Sequence, residues 1–311
     1  MSIGVGIVGF GAAGRQHVTA LDGLAGAHTA AVLEQDPAVD AGVLPRVSCW
    51  QELLADKRIG LVALCLPPGR RAELAVQALD AGKAVLLEKP PAVSVTEIDQ
   101  VTTAAQRAGL PVGVMLQHRM RLPATAFSTN WAHPAVTAVL EVARFRPPAH
   151  YRNAGWRSDP ASALGGIAAH LGVHYLDLAC QLLGRPCTVQ LAPARELAPG
   201  IDTRVTGHIE FRSGATLAFT MTAESPARSE RLQILGPEGS FRISDGTVTT
   251  HVGQTEHILS DRPTAELRRL VYQEMVDALA TSQPPLRCHL EGARAITEIL
   301  SAIAQESKIS A

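Results

Sequence analysis

Gly9-Phe10-Gly11-Ala12-Ala13-Gly14 is a GxGxxG that directly follows the apolar run Ile3–Val8. In that position the first glycine permits a tight turn and the second lets backbone amides approach a pyrophosphate. The third lets the following helix pack closely on the strand. A helix opening there offers the partial positive charge of its N-terminus to phosphates, so Phe10, Ala12 and Ala13 join the glycines as candidate cofactor contacts. Glu34 ends the second apolar run, 20 residues beyond Gly14. A carboxylate there can accept hydrogen bonds from the adenosine ribose hydroxyls and repels a 2′-phosphate. Gln35 and Asp36 follow it rather than an arginine, so NAD is expected and NADP disfavoured.

Two further residues have the right chemistry for moving a proton. Lys89 follows the apolar run 84–87, within Glu88-Lys89-Pro90. An ammonium at the carboxyl end of a parallel strand can hydrogen-bond a reacting hydroxyl and stabilise developing alkoxide charge. His174 sits in a mostly apolar stretch, and imidazole, with an ordinary pKa near 6.5, is suited to take the hydroxyl proton as hydride leaves carbon. Taken singly, a lysine at a strand end reads as a solvated charge and a histidine on an apolar helix as a satisfied core residue. His170 lies four residues before His174, with Asp177 on the same helix face. That spacing suits a metal, but no HExxH glutamate stands between the histidines and no third ligand is evident. No metal is expected; His170 is read as lining the substrate site and Asp177 as anchoring the helix, with His170 and Tyr175 the next candidate catalytic bases after His174.

These residues need a large scaffold, and 311 residues are enough for two domains with substantial cores. Hydrophobic residues at 46% and charged ones at 18% exclude disorder and coiled coil. With 28 Lys+Arg against 29 Asp+Glu, the net charge of -1 gives no case for a nucleic-acid or membrane partner. Five scattered cysteines without a CxxC, and no apolar stretch of membrane-spanning length, point to a cytoplasmic protein.

The positioning elements are legible as two patterns. Up to residue 117, apolar runs at Ile3–Val8, 28–33, 61–66, 84–87 and 112–116 alternate with helix-like stretches. Residues 70–81 stop at Gly82; Ser94-Val95-Thr96-Glu97 is a capping box for a helix stopped by Gly109. That is the pattern of a doubly wound parallel α/β sheet. Beyond about residue 120, residues 204–211 and 215–223 alternate apolar with polar, joined by Arg212-Ser213-Gly214, and Asp245-Gly246 signals a type I′ hairpin. A largely antiparallel, open-sheet α+β domain is expected, with helices at 168–183, 266–280 and 291–306 covering one face. The expected division is 1–118 for dinucleotide binding and 119–311 for substrate binding and oligomerisation.

The glycine loop, Glu88-Lys89-Pro90 at the end of the 78–90 run, and Gly165-Gly166-Ile167-Ala168-Ala169-His170-Leu171-Gly172-Val173-His174-Tyr175-Leu176-Asp177 together resemble the glucose–fructose oxidoreductase / inositol dehydrogenase (Gfo/Idh/MocA) family over nearly the whole chain. The resemblance implies a Rossmann domain, then an open-sheet domain, with the active site between them. It implies hydride transfer between the nicotinamide and a hydroxyl of a sugar or cyclitol, with Lys89 and His174 as the acid–base pair. It makes Lys89–Pro90 a candidate cis peptide. Leu66, Pro67, Arg71, Glu88, Lys89 and Gln117 are the further candidate cofactor contacts; Lys89, Arg157, His170 and His174 are the candidate substrate contacts. It also implies a homodimer or homotetramer, and Thr206, Thr216, Ala218, Thr220 and Thr222 offer a sheet face suited to such a contact.

Three positions depart from the family pattern. His170 stands where an aspartate is usual, Arg71 where a histidine is common near the nicotinamide ribose, and Leu164 where the second motif has another glycine. The stretch from Trp156-Arg157-Ser158-Asp159 to Ala168 resembles the branch acting on nucleotide-linked N-acetylated sugars, which favours a hexose-type substrate. Two other readings stay open. One is a dinucleotide- or sugar-sensing regulator without turnover, against which the presence of both Lys89 and His174 argues. The other is a reductase of a non-sugar ketone or imine in biosynthesis.

Overall fold

The computed structural model describes residues 2–152, 155–252 and 255–306. The chain forms two compact units: the residues up to Gln117 with Ala265–Ala293, and His118–Thr264 with the residues from Arg294 on.

The first unit alternates strand and helix: β1 (Ile3–Val8), α1 (Ala12–Leu21), β2 (Ala27–Leu33), α2 (Trp50–Ala55), β3 (Ile59–Leu64), α3 (Arg71–Asp80), β4 (Ala84–Leu87), α4 (Val95–Ala108) and β5 (Val112–Val114). The strands pair in the order β2-β1-β3-β4-β5, all parallel. Their apolar side chains are buried on both faces, which is why each reads as a continuous run instead of alternating. The order reverses between β1 and β3, the switch point where open α/β sheets leave a crevice at the strands' carboxyl ends. Helix α4 is capped as its sequence predicts. The Glu97 amide donates to Ser94 Oγ at 3.2 Å, Glu97 Oε2 accepts from the Val93 amide at 2.9 Å, and Gly109 ends the helix at φ 64°.

The second unit begins with β6 (Thr137–Ala143) and two short helices, α5 (Pro148–Arg152) and α6 (Pro160–Ala163). A π-helical turn, Ala168–Gly172, runs straight into α7 (Val173–Leu183). Then come β7 (Pro186–Leu191), β8 (Arg195–Ala198), β9 (Ile201–Phe211), β10 (Thr216–Thr222), β11 (Ser229–Gly236), β12 (Gly239–Ser244), β13 (Thr247–Val252) and β14 (Thr255–Ser260). The sheet order is β14-β13-β12-β11-β6-β10-β9-β7, with β8 beside β9. Among these pairings β6–β10 is parallel and the rest antiparallel. Asp245 at φ 48° and Gly246 at φ 103° make the β12–β13 turn, as the Asp-Gly signal requires.

One expectation fails. The 266–280 helix, found as α8 (Thr264–Thr281), joins the first unit rather than covering the second sheet, so 119–311 is not one uninterrupted domain. Its apolar face (Leu267, Val271, Tyr272, Met275) needs a partner but does not name one. The polar contacts decide it: Tyr272 meets His17 of α1 at 2.6 Å and Arg268 donates to Gln16 Oε1 at 2.6 Å. The last helix, α9 (Arg294–Glu306), packs on α7 and β7 in the second unit.

Candidate active site

The carboxyl edge of the parallel sheet gathers candidate residues from every strand. The glycine loop follows β1, Glu34 follows β2, Leu66 and Pro67 follow β3, Glu88 and Lys89 follow β4, and Gln117 lies just past β5. Gly9 turns at φ 87°, and a Cβ on Gly14 would stand 2.2 Å from the Gly9 carbonyl oxygen, so both positions demand glycine. A Cβ on Gly11 would meet nothing within 4 Å, so that face of the loop is open. Glu34 is tied to the loop, its Oε2 accepting from the Phe10 amide at 2.7 Å and Oε1 from the Asp36 amide at 3.0 Å.

Lys89–Pro90 is a cis peptide. The Lys89 amide donates to Glu88 Oε2 at 3.0 Å, and Glu88, only 4% exposed, is the hub of a buried cluster. Its Oε1 accepts from His17 Nε2 and from Arg268 Nη1, both at 3.0 Å. Burial alone would raise the Glu88 pKa, but the His17 hydrogen bond and the charges of Arg268 and Lys89 prevail and hold it well below the usual carboxylate value. Burial lowers the pKa of His17. A neutral His17 that donates from Nε2 to an ionised carboxylate must accept the Tyr272 hydroxyl proton at Nδ1, which assigns its tautomer from its partners.

Arg71 is 4% exposed, and burial lowers its pKa to about 10, so it stays charged at neutral pH. Its Nε donates to Leu66 O and Nη1 to Glu88 O, each at 2.7 Å, with Pro90 O a further acceptor. This guanidinium braces the loops after β3 and β4. Gln117, 4% exposed, is left with its Oε1 buried and without a hydrogen-bond partner.

In the second unit His174 is 7% exposed and stacks on His118, with ring centroids 4.4 Å apart and planes 19° from parallel. Below it, Arg119 grips Asp177 through two hydrogen bonds, Nε to Oδ2 at 2.8 Å and Nη2 to Oδ1 at 2.6 Å. Asp177 is thus the anchor its position suggests. His170 lies in the π-helical turn and meets a different set of rings: Tyr151 at 5.6 Å, His150 at 5.8 Å and Trp156 at 5.9 Å. The i, i+4 histidines are therefore directed to separate neighbours. Among the described residues, no group of three or more His, Cys, Asp or Glu side chains could hold a metal ion. The Arg157 guanidinium lies 4.9 Å over the Trp156 ring. Leu164, in the place of the family's glycine, adopts φ 56°, the left-handed conformation that glycine serves best.

Sequence reasoning missed His17, His118, Tyr151, Arg268 and Tyr272. None lies in a motif; each joins the site through a contact far away along the chain. Tyr175, a conceivable base, donates its hydroxyl to Glu230 Oε2 at 2.8 Å, and burial together with that carboxylate pushes its pKa up.

A glycine loop with its carboxylate at the carboxyl edge of a parallel sheet, joined to an open-sheet unit, defines an NAD(P)-dependent dehydrogenase or reductase. Residues 3–116 match the model of the oxidoreductase family with an NAD-binding Rossmann fold, and residues 135–242 match the Gfo/Idh/MocA C-terminal domain. An uncharacterized oxidoreductase of Escherichia coli, YdgJ, is 30% identical over 256 residues, covering 77% of this chain and 70% of that one. The protein belongs to the Gfo/Idh/MocA oxidoreductase family. Two solved structures share its fold. Levoglucosan dehydrogenase in complex with NADH and levoglucosan superposes with a TM-score of 0.86 at 18% identity, covering 100% of this chain and 98% of that one. The WlbA dehydrogenase of Bordetella pertussis in complex with NADH and UDP-GlcNAcA gives 0.83 at 19%, covering 100% and 96%. The first unit fits the family's NAD, with an open loop face at Gly11, a carboxylate at Glu34 and an unmatched buried acceptor at Gln117. No helix among the described residues is long and apolar enough to cross a membrane.

Proposed function

We propose that the protein transfers hydride between NAD and a secondary hydroxyl, or the corresponding ketone, of a sugar, nucleotide sugar or cyclitol. The observation that carries this reading is the convergence of the glycine loop, Glu34, Lys89 and Gln117 on one edge of the parallel sheet. Gly9–Gly14 cradles the pyrophosphate, and Glu34 takes the adenosine ribose hydroxyls and disfavours a 2′-phosphate. Bound NAD supplies the hydride acceptor. Lys89 hydrogen-bonds the reacting oxygen and stabilises its charge, and His174 takes its proton. His170 and Arg157 contact the rest of the substrate. The sugar-like substrates in the two structural relatives support that class, and the 156–168 stretch favours a hexose.

Subunits associate, in this reading, through the solvent face of the second sheet. Thr206, Ala218 and Thr220 stand exposed there beside Val139, which is 52% exposed. Light scattering at micromolar concentration should give a dimer or tetramer, and a monomer would reject this contact. The reaction is tested by screening sugars, sugar acids and nucleotide sugars for NADH formation, with NAD(H) binding titrated separately. Binding of NAD without turnover of any of them would favour a sensing regulator.

A further inference from the structure

Among the described residues, the most buried guanidiniums are each held by several partners. Arg71 donates to three carbonyls, Arg119 holds Asp177, Arg121 binds Gly246 O, Arg262 O and Thr264 Oγ1, and Arg268 binds Glu88 and Gln16. Two guanidiniums near the rings that His170 meets are less engaged. Arg146, between β6 and α5, makes only a 3.4 Å contact with its neighbour's carbonyl, Phe145 O. Arg157 lies against the Trp156 ring. Both are half-buried, and neither has a carboxylate partner among the described residues.

Nearby carboxylates are already committed. Glu230 pairs with Arg144 and Arg228 and accepts from Tyr175, while Asp202 accepts the amides of Gly166 at 2.6 Å and Ala168 at 2.9 Å. Burial lowers the pKa of both Arg146 and Arg157. Next in effect is a like charge, that of Arg144 on Arg146 and that of Arg146 on Arg157. A second observation points the same way. Tyr151, 1% exposed, stacks on His170 and keeps a buried hydroxyl with no hydrogen-bond partner. Two half-buried cations with unspent donors, next to an unspent buried hydroxyl, gain most when an anion with several acceptor oxygens arrives.

We infer that Arg146 and Arg157, with the Tyr151 hydroxyl, form a subsite for an oxyanion carried by the substrate, so that the preferred substrate is a sugar bearing a carboxylate or phosphate. This rests on the proposed role of the second unit in binding substrate. The planar forks of Arg146 and Arg157 suit the oxygens of either group. His170, where the family has an aspartate, removes a negative charge that would repel such a ligand.

Calorimetric titration of the full chain with glucuronate, glucose 6-phosphate and glucose tests this without requiring turnover. At least one anionic hexose should bind about tenfold or more tightly than glucose, as charge-assisted hydrogen bonds predict. The stronger of the two identifies carboxylate or phosphate as the group read. Arg146→Gln and Arg157→Gln should each remove most of the preference, and Arg157→Lys should keep part of it, with unchanged melting midpoints showing that the variants fold. Equal or undetectable binding of all three hexoses, or a preference that survives both glutamine variants, would overturn the inference. NADH formation, read in parallel, separates the two ideas. Arg-dependent anion binding without turnover would reject the dehydrogenase reading alone, and turnover with no anion preference would reject the subsite alone.

Discussion

His17 Nε2, on the helix that the glycine loop opens, lies 3.0 Å from Oε1 of Glu88, the residue immediately before Lys89. His17 is 0% and Glu88 4% exposed, so the bond joins the segments after β1 and β4 through the core. Arg268 and Tyr272 of α8 complete the cluster from the returning segment. The loop expected to hold pyrophosphate and the lysine expected to meet the hydroxyl are thereby braced against one buried carboxylate.

This cluster makes stability depend on pH. The Tyr272 hydroxyl and Cys65 thiol are pushed up by burial, and Arg71, lowered to about 10, stays charged, so the pH dependence below neutrality is carried by His17 and Glu88. His17 has a folded pKa below its ordinary 6.5, so on acidification the unfolded chain takes up this proton first. Its contribution is complete above 6.5 and declines as pH falls below it. That of Glu88 is complete above 4.5 and is lost only as pH falls through its depressed folded value. The thermal midpoint should drop as pH is lowered from about 7.5 to about 5, less steeply in His17→Asn. An identical slope in that variant would remove His17 from the cause.

Asp177→Ala should destabilise the protein by about 3–5 kcal/mol, because it removes the carboxylate that grips the buried Arg119 guanidinium through two charged hydrogen bonds. Urea unfolding measures this directly. A loss below about 1 kcal/mol would place the pair among ion pairs of little net worth.

Glu34→Ala should act twice. Losing the carboxylate removes repulsion of a 2′-phosphate, so the preference for NAD over NADP should narrow by about tenfold, or about 1.4 kcal/mol. It also releases the Phe10 amide, so NAD itself should bind more weakly. Titration with both dinucleotides checks this, and tighter binding of NADP(H) than NAD(H) to the unaltered protein would contradict the assignment of Glu34.

What the sequence revealed was mostly what is local in the chain. The GxGxxG loop, the Ser94–Glu97 cap and the Asp245-Gly246 turn each encode their geometry within a few residues, and all three are present. The parallel sheet was legible because its strands are apolar on both faces. The return of α8 to the first unit was not, since an amphipathic face carries no address and the deciding partners, His17 and Gln16, lie about 250 residues away. The same holds for His118 against His174 and for Arg119 with Asp177, each a contact between separate segments. Arg71 could be placed after the third strand by motif alone, but its three carbonyl acceptors appear only once two loops are brought side by side.

Tyr175→Phe should leave turnover near that of the unaltered protein, because its hydroxyl is committed to Glu230 and burial pushes its pKa up, making it a poor base. Steady-state kinetics with any sugar that is turned over decides it. A loss of about 100-fold or more would transfer the proton-accepting role to Tyr175.

The assignment of Lys89 and His174 as the acid–base pair is tested most directly by the turnover of Lys89→Met and His174→Ala, measured beside NAD titration. Each variant should lose at least about 100-fold in kcat, the lower end for a positioned acid–base group. NAD affinity should stay largely unchanged, since neither side chain cradles the pyrophosphate. Near wild-type kcat in His174→Ala would move the base elsewhere, and unchanged kcat in both variants would contradict the hydride-transfer assignment of this site.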